Sequence, residues 1–312
     1  MSEQEKTQET VPEEKVQETV PEEEKQKKKG KEKVKKTVGQ EILSWVWTIL
    51  IAVLAALIIR SVLFEPVRVD GHSMDDTLAD GEIMFVSKFD YSTTWLSLPW
   101  QNDEAKENAA RIVQFGNPSR FDVVICRYPG RGDTNFVKRV VGLPGDTVEL
   151  KDGYLYVNGE KYDEPYITDE YRTGRLNTFE SFRVPAKGDP IKFENGYLLV
   201  NGEAWWSQSN LTGVRDNGDK LELKYKSDSG SAELLLNGKK LENASDFEQI
   251  SGVEFKLENN FYFVMGDHRN NSNDSRSVGP IDRSMIVGHV RQVLFPFNQW
   301  RGIPNGLDVK AK

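Results

Sequence analysis

The feature that most restricts this 312-residue chain is one long apolar segment near its N-terminus. Residues Ile42–Ile59 read ILSWVWTILIAVLAALII, a run of eighteen residues without a charge. As an α-helix at about 1.5 Å per residue the run measures roughly 27 Å, close to the thickness of a bilayer's hydrocarbon core. Arg60 interrupts the run, but Ser61–Phe64 extends it, and an arginine at this end can reach the headgroups. The pattern predicts a transmembrane anchor over residues 42–64, and the lack of a polar stripe disfavours the alternative of a buried core helix.

Two blocks of opposite charge precede this segment. Residues 1–24 hold nine Glu against two Lys, and residues 25–36 hold eight Lys against one Glu. Because both blocks have few apolar side chains, residues 1–41 are predicted to be a disordered tail, first acidic and then lysine-rich. Lysines beside a membrane segment mark the cytoplasmic side, which places the tail in the cytoplasm and everything after Phe64 outside the cell membrane. A cleaved secretory signal is the alternative, but the RSVLFEPV that follows the run offers no small-x-small cleavage site.

Composition restricts the possible partners of the chain. A formal net charge of −8 argues against a nucleic-acid-binding protein, which needs a face that neutralises phosphates. The single cysteine, Cys126, excludes an intrachain disulfide framework and a cysteine-based metal site. No HExxH or comparable ligand cluster is present, which excludes a metalloprotease. We therefore expect no nucleic acid, no metal and no cofactor.

From Glu65 onward the sequence alternates in the manner of β-strands. Short β-branched or aromatic runs recur between Gly, Asn, Asp and Pro residues, which are typical of turns. These runs are Val67–Val69, Ile83–Ser87, Val123–Tyr128, Val137–Val141, Tyr154–Val157, Tyr197–Val200, Glu233–Leu236 and Phe261–Val264. They predict a mainly β protein, with an antiparallel β-sheet or barrel-like domain behind one N-terminal transmembrane helix.

Asn-Gly pairs at 158–159, 201–202 and 237–238 each follow a strand-like run, as tight hairpins require. They belong to an internal echo: DGYLYVNGEKY at 152–162, NGYLLVNGEAW at 195–205 and AELLLNGKKLE at 232–242. The echo predicts a hairpin-rich β subdomain inserted at 150–258, although shared turn chemistry alone also makes hairpins resemble one another. The flanking segments, 65–149 and 259–312, would then form a single domain.

Three segments combine residues that can carry chemistry. They are VDGHSMDDTL at 69–78, FVKRVVGLPGD at 136–146, and FVMGDHRNNSNDSRSVGP at 263–280. Ser73 in the first segment is a candidate nucleophile, and a serine nucleophile needs a base.

Histidine is the usual base, and the chain has three, His72, His268 and His289, of which the first two are poorly placed. His72 is the direct neighbour of Ser73 and His268 the direct neighbour of Asp267, and adjacent side chains on an extended segment point to opposite faces. Lysine is the other solution if burial lowers its pKa enough to leave it neutral. Lys138 lies between apolar residues on a predicted strand and suits that role, whereas the adjacent Arg139 is expected to project outward.

Taken together, these segments resemble the signature boxes of type I signal peptidases. Ser73-Met74 with Thr77-Leu78, the run from Lys138 to Asp146 and the run from Gly266 to Arg276 occur in the family's order behind a membrane anchor. A fourth, weaker match is RFDVVICRYP at 120–129. The resemblance covers residues 65–148 and 258–300. It implies a membrane-bound serine endopeptidase that removes N-terminal signal peptides from exported preproteins after small-x-small sites.

The same resemblance implies residue roles. Ser73 would attack the scissile carbonyl, Lys138 would accept its proton, and the Ser272 hydroxyl would hold the lysine amine. Four charged residues match an ion-paired scaffold that shapes the loop: Asp267, Arg269, Asp274 and Arg276. Five residues match the shallow pockets for small side chains at the −1 and −3 positions of the signal: Val67, Val69, Leu78, Phe136 and Val137. The implied partners are signal peptides of secreted preproteins and the lipid bilayer, and the sequence leaves the oligomeric state open.

Two positions depart from the family pattern. Residue 76 is Asp where the family has proline, a change expected to cost order rather than activity. Residue 71 is Gly, as in Gram-positive-type members, rather than a serine whose hydroxyl donates to the oxyanion. The Ser73 backbone N–H would then stabilise the negative charge of the oxyanion.

A further segment, Tyr91–Trp100, concentrates Trp and Leu in a predicted loop. These side chains either lie on the membrane interface or pack under the loop.

Two alternatives to the peptidase remain open. The first is a catalytically silent, membrane-anchored β module that binds exported proteins through the 150–258 hairpins. The second is a self-cleaving repressor that uses the same Ser/Lys chemistry, but such a protein needs a helix-turn-helix and a soluble chain, and the sequence shows neither.

Overall fold

The structure is a computed structural model that describes residues 37–59, 64–94, 111–114, 116–128, 131, 134–172, 177–226 and 230–304. Residues 1–36 of the tail predicted over 1–41 lie outside this part of the chain, as do Trp95–Trp100 of the proposed interfacial loop. Residues 38–41, also assigned to the tail, are instead the first residues of a helix. Within the described residues, one helix is long and apolar enough to cross a membrane. It is α1, Val38–Ile58, and its large apolar side chains are exposed along most of its length.

The helix is followed by strands almost throughout. In the first half of the chain they are β1 (Phe64–Arg68), β2 (Ile83–Ser87), β3 (Ser92–Thr94), β4 (Arg111–Gln114), β5 (Val123–Cys126), β6 (Phe136–Gly142), β7 (Thr147–Lys151), β8 (Tyr154–Val157), β9 (Glu160–Lys161), β10 (Phe179–Arg183) and β11 (Pro190–Glu194). The later ones are β12 (Tyr197–Val200), β13 (Glu203–Ala204), β14 (Leu211–Val214), β15 (Lys220–Lys226), β16 (Ser231–Leu236), β17 (Lys239–Lys240), β18 (Glu254–Leu257), β19 (Phe261–Met265), β20 (Ile281–Asp282), β21 (Ile286–Phe295) and β22 (Arg301–Gly302). In the described parts of the chain, two short α-helices, α2 (Ala244–Glu248) and α3 (Ser275–Val278), interrupt them.

The largest sheet combines the two segments that flank the inserted one. Its order is β1-β2-β21-β5-β6-β19-β20, with β22 added beside β21, and every neighbouring pair is antiparallel. The sheet curls into a half-barrel, so the mainly β, antiparallel prediction is confirmed. Phe64, predicted as the last residue of the anchor, is instead the first residue of β1, where its ring stacks on Phe85 of β2 at 4.8 Å.

The inserted segment supplies most of the remaining sheet structure. Strands β7–β10 form a sheet in the order β10-β7-β8-β9, and β11–β18 form another in the order β13-β12-β11-β18-β14-β15-β16-β17. A separate ribbon pairs β3 with β4. One apolar core joins these parts, because Phe121, Val141 and Phe263 of the large sheet's segments share a buried cluster with Leu155 and Ile191 of the inserted segment.

The three Asn-Gly turns close hairpins of closely similar construction. At each turn both residues have positive φ, near +53° for Asn and +80° for Gly, as a type I′ turn requires. Each Asn side-chain amide donates to the carboxylate of an Asp that follows a glycine and directly precedes the neighbouring strand β7, β11 or β15, which pairs with the first strand of the hairpin, β8, β12 or β16 respectively. An arginine also contacts that carboxylate. The sets are Asn158, Asp146 and Arg120; Asn201, Asp189 and Arg183; and Asn237, Asp219 and Arg215. The echo seen in the sequence is therefore a repeated hairpin with a repeated polar closure.

Candidate active site

The loop between β1 and β2 carries Ser73. Its ends are tied together, since Val69 N–H donates to the Glu82 carbonyl at 2.8 Å and Gly81 N–H donates to the Val69 carbonyl at 3.0 Å. Met74 is buried next to the serine and begins a turn closed by the Leu78 N–H on the Met74 carbonyl at 2.8 Å. The buried Met74 side chain next to Ser73 therefore fixes the position of the Ser73 backbone.

Ser73 lies against the side chain of Lys138, which is on the central strand β6. The distance from Lys138 Nζ to Ser73 Oγ is 2.8 Å, and Nζ is also 2.8 Å from the carbonyl oxygen of Val137. In the neutral amine, one N–H donates to that carbonyl and the lone pair is left for the serine hydroxyl proton. The geometry is that of a nucleophile hydrogen-bonded to its base.

Lys138 is only 2% exposed, on a face of the sheet built from apolar side chains. Its partner across the strand pair is Val124 of β5. Burial lowers the pKa of Lys138, and this effect exceeds the opposing influence of the nearby Asp274 and Asp267 carboxylates. Burial also raises the pKa of the Cys126 thiol to about 12, so the thiol is uncharged at neutral pH and supplies no counter-charge to the lysine.

The residue after the lysine corrects a sequence prediction. Arg139 was expected to project outward, but it is fully buried and its guanidinium donates twice to Asp267, at 2.9 and 2.7 Å. Thr77 Oγ1 donates to the same carboxylate at 2.5 Å. Strand alternation does place Arg139 on the face opposite Lys138, but that face is covered too, so the side chain is enclosed rather than solvated.

The other charged residues of the 266–276 loop also form ion pairs. Arg276 donates to both oxygens of Asp274, at 2.9 and 2.8 Å, and Gly266 N–H donates to Asp274 at 3.0 Å. Although burial raises the pKa of Asp274, its hydrogen bond and charge interaction with Arg276 outweigh that effect and the pKa lies below its usual value. Arg269 pairs with Glu164, a buried residue of the inserted segment. The scaffold residues are thus paired, but two of their partners lie outside the loop.

Gly266 brings this loop against the nucleophile. A Cβ at this position would lie 2.3 Å from Ser272 Oγ and 2.4 Å from the Ser73 carbonyl oxygen, so any larger residue must displace both. Ser272 therefore lies within a few ångströms of the Ser73 peptide. Among the described residues, however, no hydrogen bond joins the buried Ser272 hydroxyl to Lys138. The Ser272 side chain instead contributes to lowering the pKa of Asp274.

The five residues expected to line substrate pockets do not share one surface. Val67, Val69, Leu78 and Val137 belong to one apolar cluster, whereas Phe136 packs in another, with its ring 5.0 Å from that of Tyr128. Val69 and Leu78 are buried, and Leu78 has no exposed surface. Only Val67, Phe136 and Val137 keep partly exposed side chains that a substrate can reach.

The histidines do not form a competing base. His72 and His268 both place Nδ1 near the Asp75 carboxylate, at 3.3 and 3.2 Å. His289 lies at another location, between Asp90 and Asp122. In the part of the chain that the structure describes, no histidine ring is hydrogen-bonded to Ser73 Oγ.

Comparison with known proteins identifies the family of the chain. A family model described as signal peptidase, peptidase S26, matches residues 42–187 and 183–295. The chain belongs to this family. The matched ranges include both Ser73 and Lys138.

Similar proteins with the signal peptidase name extend over most of the chain. Signal peptidase I of Bacillus licheniformis is 31% identical over 263 residues, which cover 84% of this chain and 93% of that protein. Signal peptidase I T of Bacillus subtilis is 31% identical, over 83% of this chain and 88% of that protein. A crystal structure of a signal peptidase I from Enterococcus faecalis aligns with 56% of this chain and 98% of its own, at 21% identity and a TM-score of 0.28, so the assignment rests on the sequence comparisons.

Family and structure together assign the broad class of the protein. Helix α1 and membership of the S26 family support a membrane-anchored serine peptidase, and the silent β module is not favoured. The family implies signal-peptide substrates.

Sequence reasoning missed several residues of this S26 site. Thr77 and Arg139 lie inside the quoted family boxes, so their position in the sequence could have marked them as partners of Asp267. Glu164 and Tyr166 lie in the inserted segment, yet Glu164 binds Arg269 and the Tyr166 ring lies 3.7 Å below the Arg139 guanidinium. Nothing in the local sequence separates Glu164 from the many exposed glutamates of the chain.

Proposed function

We propose that this protein removes N-terminal signal peptides from exported preproteins after small-x-small sites, with Ser73 as nucleophile and Lys138 as general base. The observation that carries the proposal is the 2.8 Å contact between Lys138 Nζ and Ser73 Oγ, made where burial lowers the pKa of the lysine. An amine that is neutral near physiological pH can accept the serine proton, whereas an ammonium cannot.

The reaction proceeds in two balanced stages. Ser73 Oγ forms a bond to the scissile carbonyl carbon while its proton passes to Lys138 Nζ, and the resulting ammonium keeps its hydrogen bond to the Val137 carbonyl. The ammonium then returns the proton to the leaving amine, the peptide bond breaks, and the signal peptide remains as an ester of Ser73. In the second stage, Lys138 deprotonates a water that attacks the ester, and then reprotonates Ser73.

The oxyanion of each tetrahedral intermediate needs hydrogen-bond donors. The Ser73 backbone N–H is the candidate, because Gly71 offers no hydroxyl and its own N–H already donates to Asp80 at 2.9 Å. We assign Ser272 to the support of Lys138, since its buried hydroxyl lies near the Ser73 peptide. Its oxygen can accept a hydrogen bond from the protonated lysine. Asp267, Arg269, Asp274 and Arg276 hold the loop through their ion pairs rather than touch the substrate.

We assign substrate selection to the partly exposed apolar side chains near the dyad. Val67 and Val137 belong to one cluster, in which the buried Val69 and Leu78 support them, and Phe136 belongs to a second cluster. These exposed side chains suit small residues at the −1 and −3 positions. We further infer that the lysine block keeps the N-terminus in the cytoplasm and that the β domain lies outside. In this assignment 65–149 and 259–312 form the catalytic domain, with 150–258 inserted into it.

Cleavage of a preprotein with an Ala-x-Ala site by the detergent-solubilised full-length protein tests the proposal. Ser73→Ala and Lys138→Ala should each abolish cleavage while leaving the fold intact, and loss of a general base alone is worth about 10²–10⁴-fold. Two matched controls, Ser245→Ala in α2 and Lys151→Ala on β7, change exposed residues and should cleave at the wild-type rate. A folded wild-type protein that cleaves nothing would favour the silent β module.

A further inference from the structure

One stretch of the inserted segment touches the catalytic loops at several points. Residues Glu164–Arg172 lie between β9 and β10 and end in a short 3₁₀ turn, Asp169–Arg172. They belong to neither of the inserted sheets, yet they contact Arg139, Arg269, His268 and the loop of Ser73. We refer to Glu164–Arg172 as the brace.

The first contact of the brace is electrostatic. Glu164 is 1% exposed, and its carboxylate receives Arg269, Arg172 and the hydroxyl of Tyr166, the last at 3.0 Å. A buried carboxylate that accepts from three donors is held in one position. Arg269 is therefore fixed from the brace, and its Nε in turn donates to the Gly266 carbonyl at 3.1 Å.

The second contact leads directly to the nucleophile. The Tyr171 ring stacks on the His268 ring with centroids 3.8 Å apart and planes inclined by 21°. The backbone N–H of His268 donates to the Ser73 carbonyl at 3.2 Å. His268 Nδ1 faces two acceptors, the His72 carbonyl at 2.9 Å and Asp75 Oδ2 at 3.2 Å, so it carries a hydrogen and binds both sides of Ser73.

A third contact approaches the same loop from its other end. Thr168 N–H points at Asp76 Oδ2 at 3.4 Å, which is a weak hydrogen bond. Asp76 replaces the proline expected from the family pattern, and its carboxylate gives the loop a polar group directed at the brace. The Ser73 loop is thus held from residues 72, 73, 75 and 76 by His268 and the brace.

We propose that Tyr171 is a positioning residue for Ser73, which acts by holding His268 against the nucleophile loop. The inference rests on the proposed function for its catalytic readout, and it makes part of the insertion an element of the active site. Glu164 acts in the same sense on the neighbouring Arg269. Neither residue touches the reacting atoms, and both act through the loop at 266–269.

Substitution of Tyr171 separates positioning from bulk stability. Tyr171→Leu keeps apolar volume on a half-buried side chain but removes the stacked ring, and it should lower kcat roughly tenfold with KM within about twofold of wild type. Tyr171→Phe keeps the ring and should restore kcat to within about twofold. Tyr197→Leu is the matched control, because Tyr197 is 64% exposed on β12 of the same insertion.

Hydrogen–deuterium exchange supplies a readout that does not depend on activity. In Tyr171→Leu, peptides covering residues 70–78 and 266–272 should exchange faster than in wild type, while those covering β5 and β6 should be unchanged. The inference is overturned if both the exchange and kcat of Tyr171→Leu equal those of the wild type, or if Tyr197→Leu reproduces the effect. A wild-type protein that cleaves no preprotein would contradict the proposed function instead, and the exchange measurement would still decide about the brace.

Discussion

Arg139 and Asp267 form a fully buried, doubly hydrogen-bonded ion pair one residue away from the lysine that contacts Ser73. The pair joins the middle of β6 to the loop after β19, and Thr77 from the Ser73 loop donates to the same carboxylate. Three chain segments that are distant in the sequence therefore meet at one carboxyl group. The position of Lys138 relative to Ser73 depends on this junction.

Removal of the Asp267 carboxylate should destabilise the fold strongly. Asp267→Ala leaves Arg139 as a buried charge without its main partner, and such losses cost about 3–5 kcal/mol. Urea unfolding in detergent, followed by tryptophan fluorescence, measures the change. The matched control is Asp216→Ala, whose exposed side chain pairs with Lys256 at 3.5 Å and should cost about 0–1 kcal/mol. Equal losses in the two variants would contradict the importance of the buried pair.

The pH dependence of cleavage should report the low pKa of Lys138. Activity requires the neutral amine, so kcat/KM should rise with pH through the folded-state pKa of the lysine, below its ordinary value of 10.5. The same pKa shift means that the unfolded chain binds this proton more tightly, so the Lys138 contribution to stability increases as pH rises from the folded pKa towards 10.5.

A pH profile of kcat/KM, measured where the protein remains folded, tests this expectation. Lys138→Arg should be inactive across the range, because the guanidinium stays protonated. An acid limb at or above 10.5 in the wild type would show that burial does not make the lysine a usable base.

Proline at position 76 should impair the enzyme even though the family pattern contains it. Asp76 has φ of +77°, in a region that proline cannot enter because its ring fixes φ near −65°. Asp76→Pro should therefore reduce cleavage by at least about tenfold, since a loop displacement near 1 Å can cost about a hundredfold. Asp76→Asn tolerates positive φ and keeps a side-chain oxygen that can accept from the Thr168 N–H, so it should stay within about twofold of wild type.

Side-by-side initial rates on one preprotein compare the two Asp76 variants. A proline variant as active as the wild type would mean that the loop does not need the left-handed conformation at this residue.

A methyl group at position 266 should inactivate the protein with little loss of fold. In Gly266→Ala the new Cβ meets the Ser73 carbonyl and the Ser272 hydroxyl at 2.4 and 2.3 Å, so the nucleophile must move. A displacement of about 1 Å lowers the rate on the order of a hundredfold. Gly302→Ala is the control, because a Cβ there meets nothing within 4 Å. Cleavage assays with parallel circular dichroism would refute the expectation if both alanine variants were equally active.

The architecture of the chain could be predicted where local sequence carries the information. All eight strand-like runs named from the sequence overlap strands of the structure, and each Asn-Gly pair forms the expected turn. Ser73 and Lys138 were found because their neighbours form recognisable boxes and because the apolar residues around Lys138 predict burial. These properties are local to a few residues, so a single sequence shows them.

The features that could not be predicted depend on contacts between segments that are distant in the sequence. Alternation along β6 indicates that Arg139 faces away from Lys138, but it does not say that this face is covered by Tyr166 and closed by Asp267. Glu164 accepts a hydrogen bond from Arg269, which is 105 residues away in the sequence, and no local pattern marks either residue as a partner of the other. The shared core of the insertion and the large sheet has the same origin, since it arises only when distant strands pack together.

Trapping the covalent intermediate tests the central claim most directly. A peptide ester whose acyl group ends in Ala-x-Ala, acid-quenched within a single turnover, should leave an adduct that peptide mass mapping places on Ser73. The account predicts no adduct in Ser73→Ala and acylation slowed by roughly 10²–10⁴-fold in Lys138→Ala. An adduct on any other residue, or wild-type acylation rates in Lys138→Ala, would contradict the Ser73–Lys138 dyad.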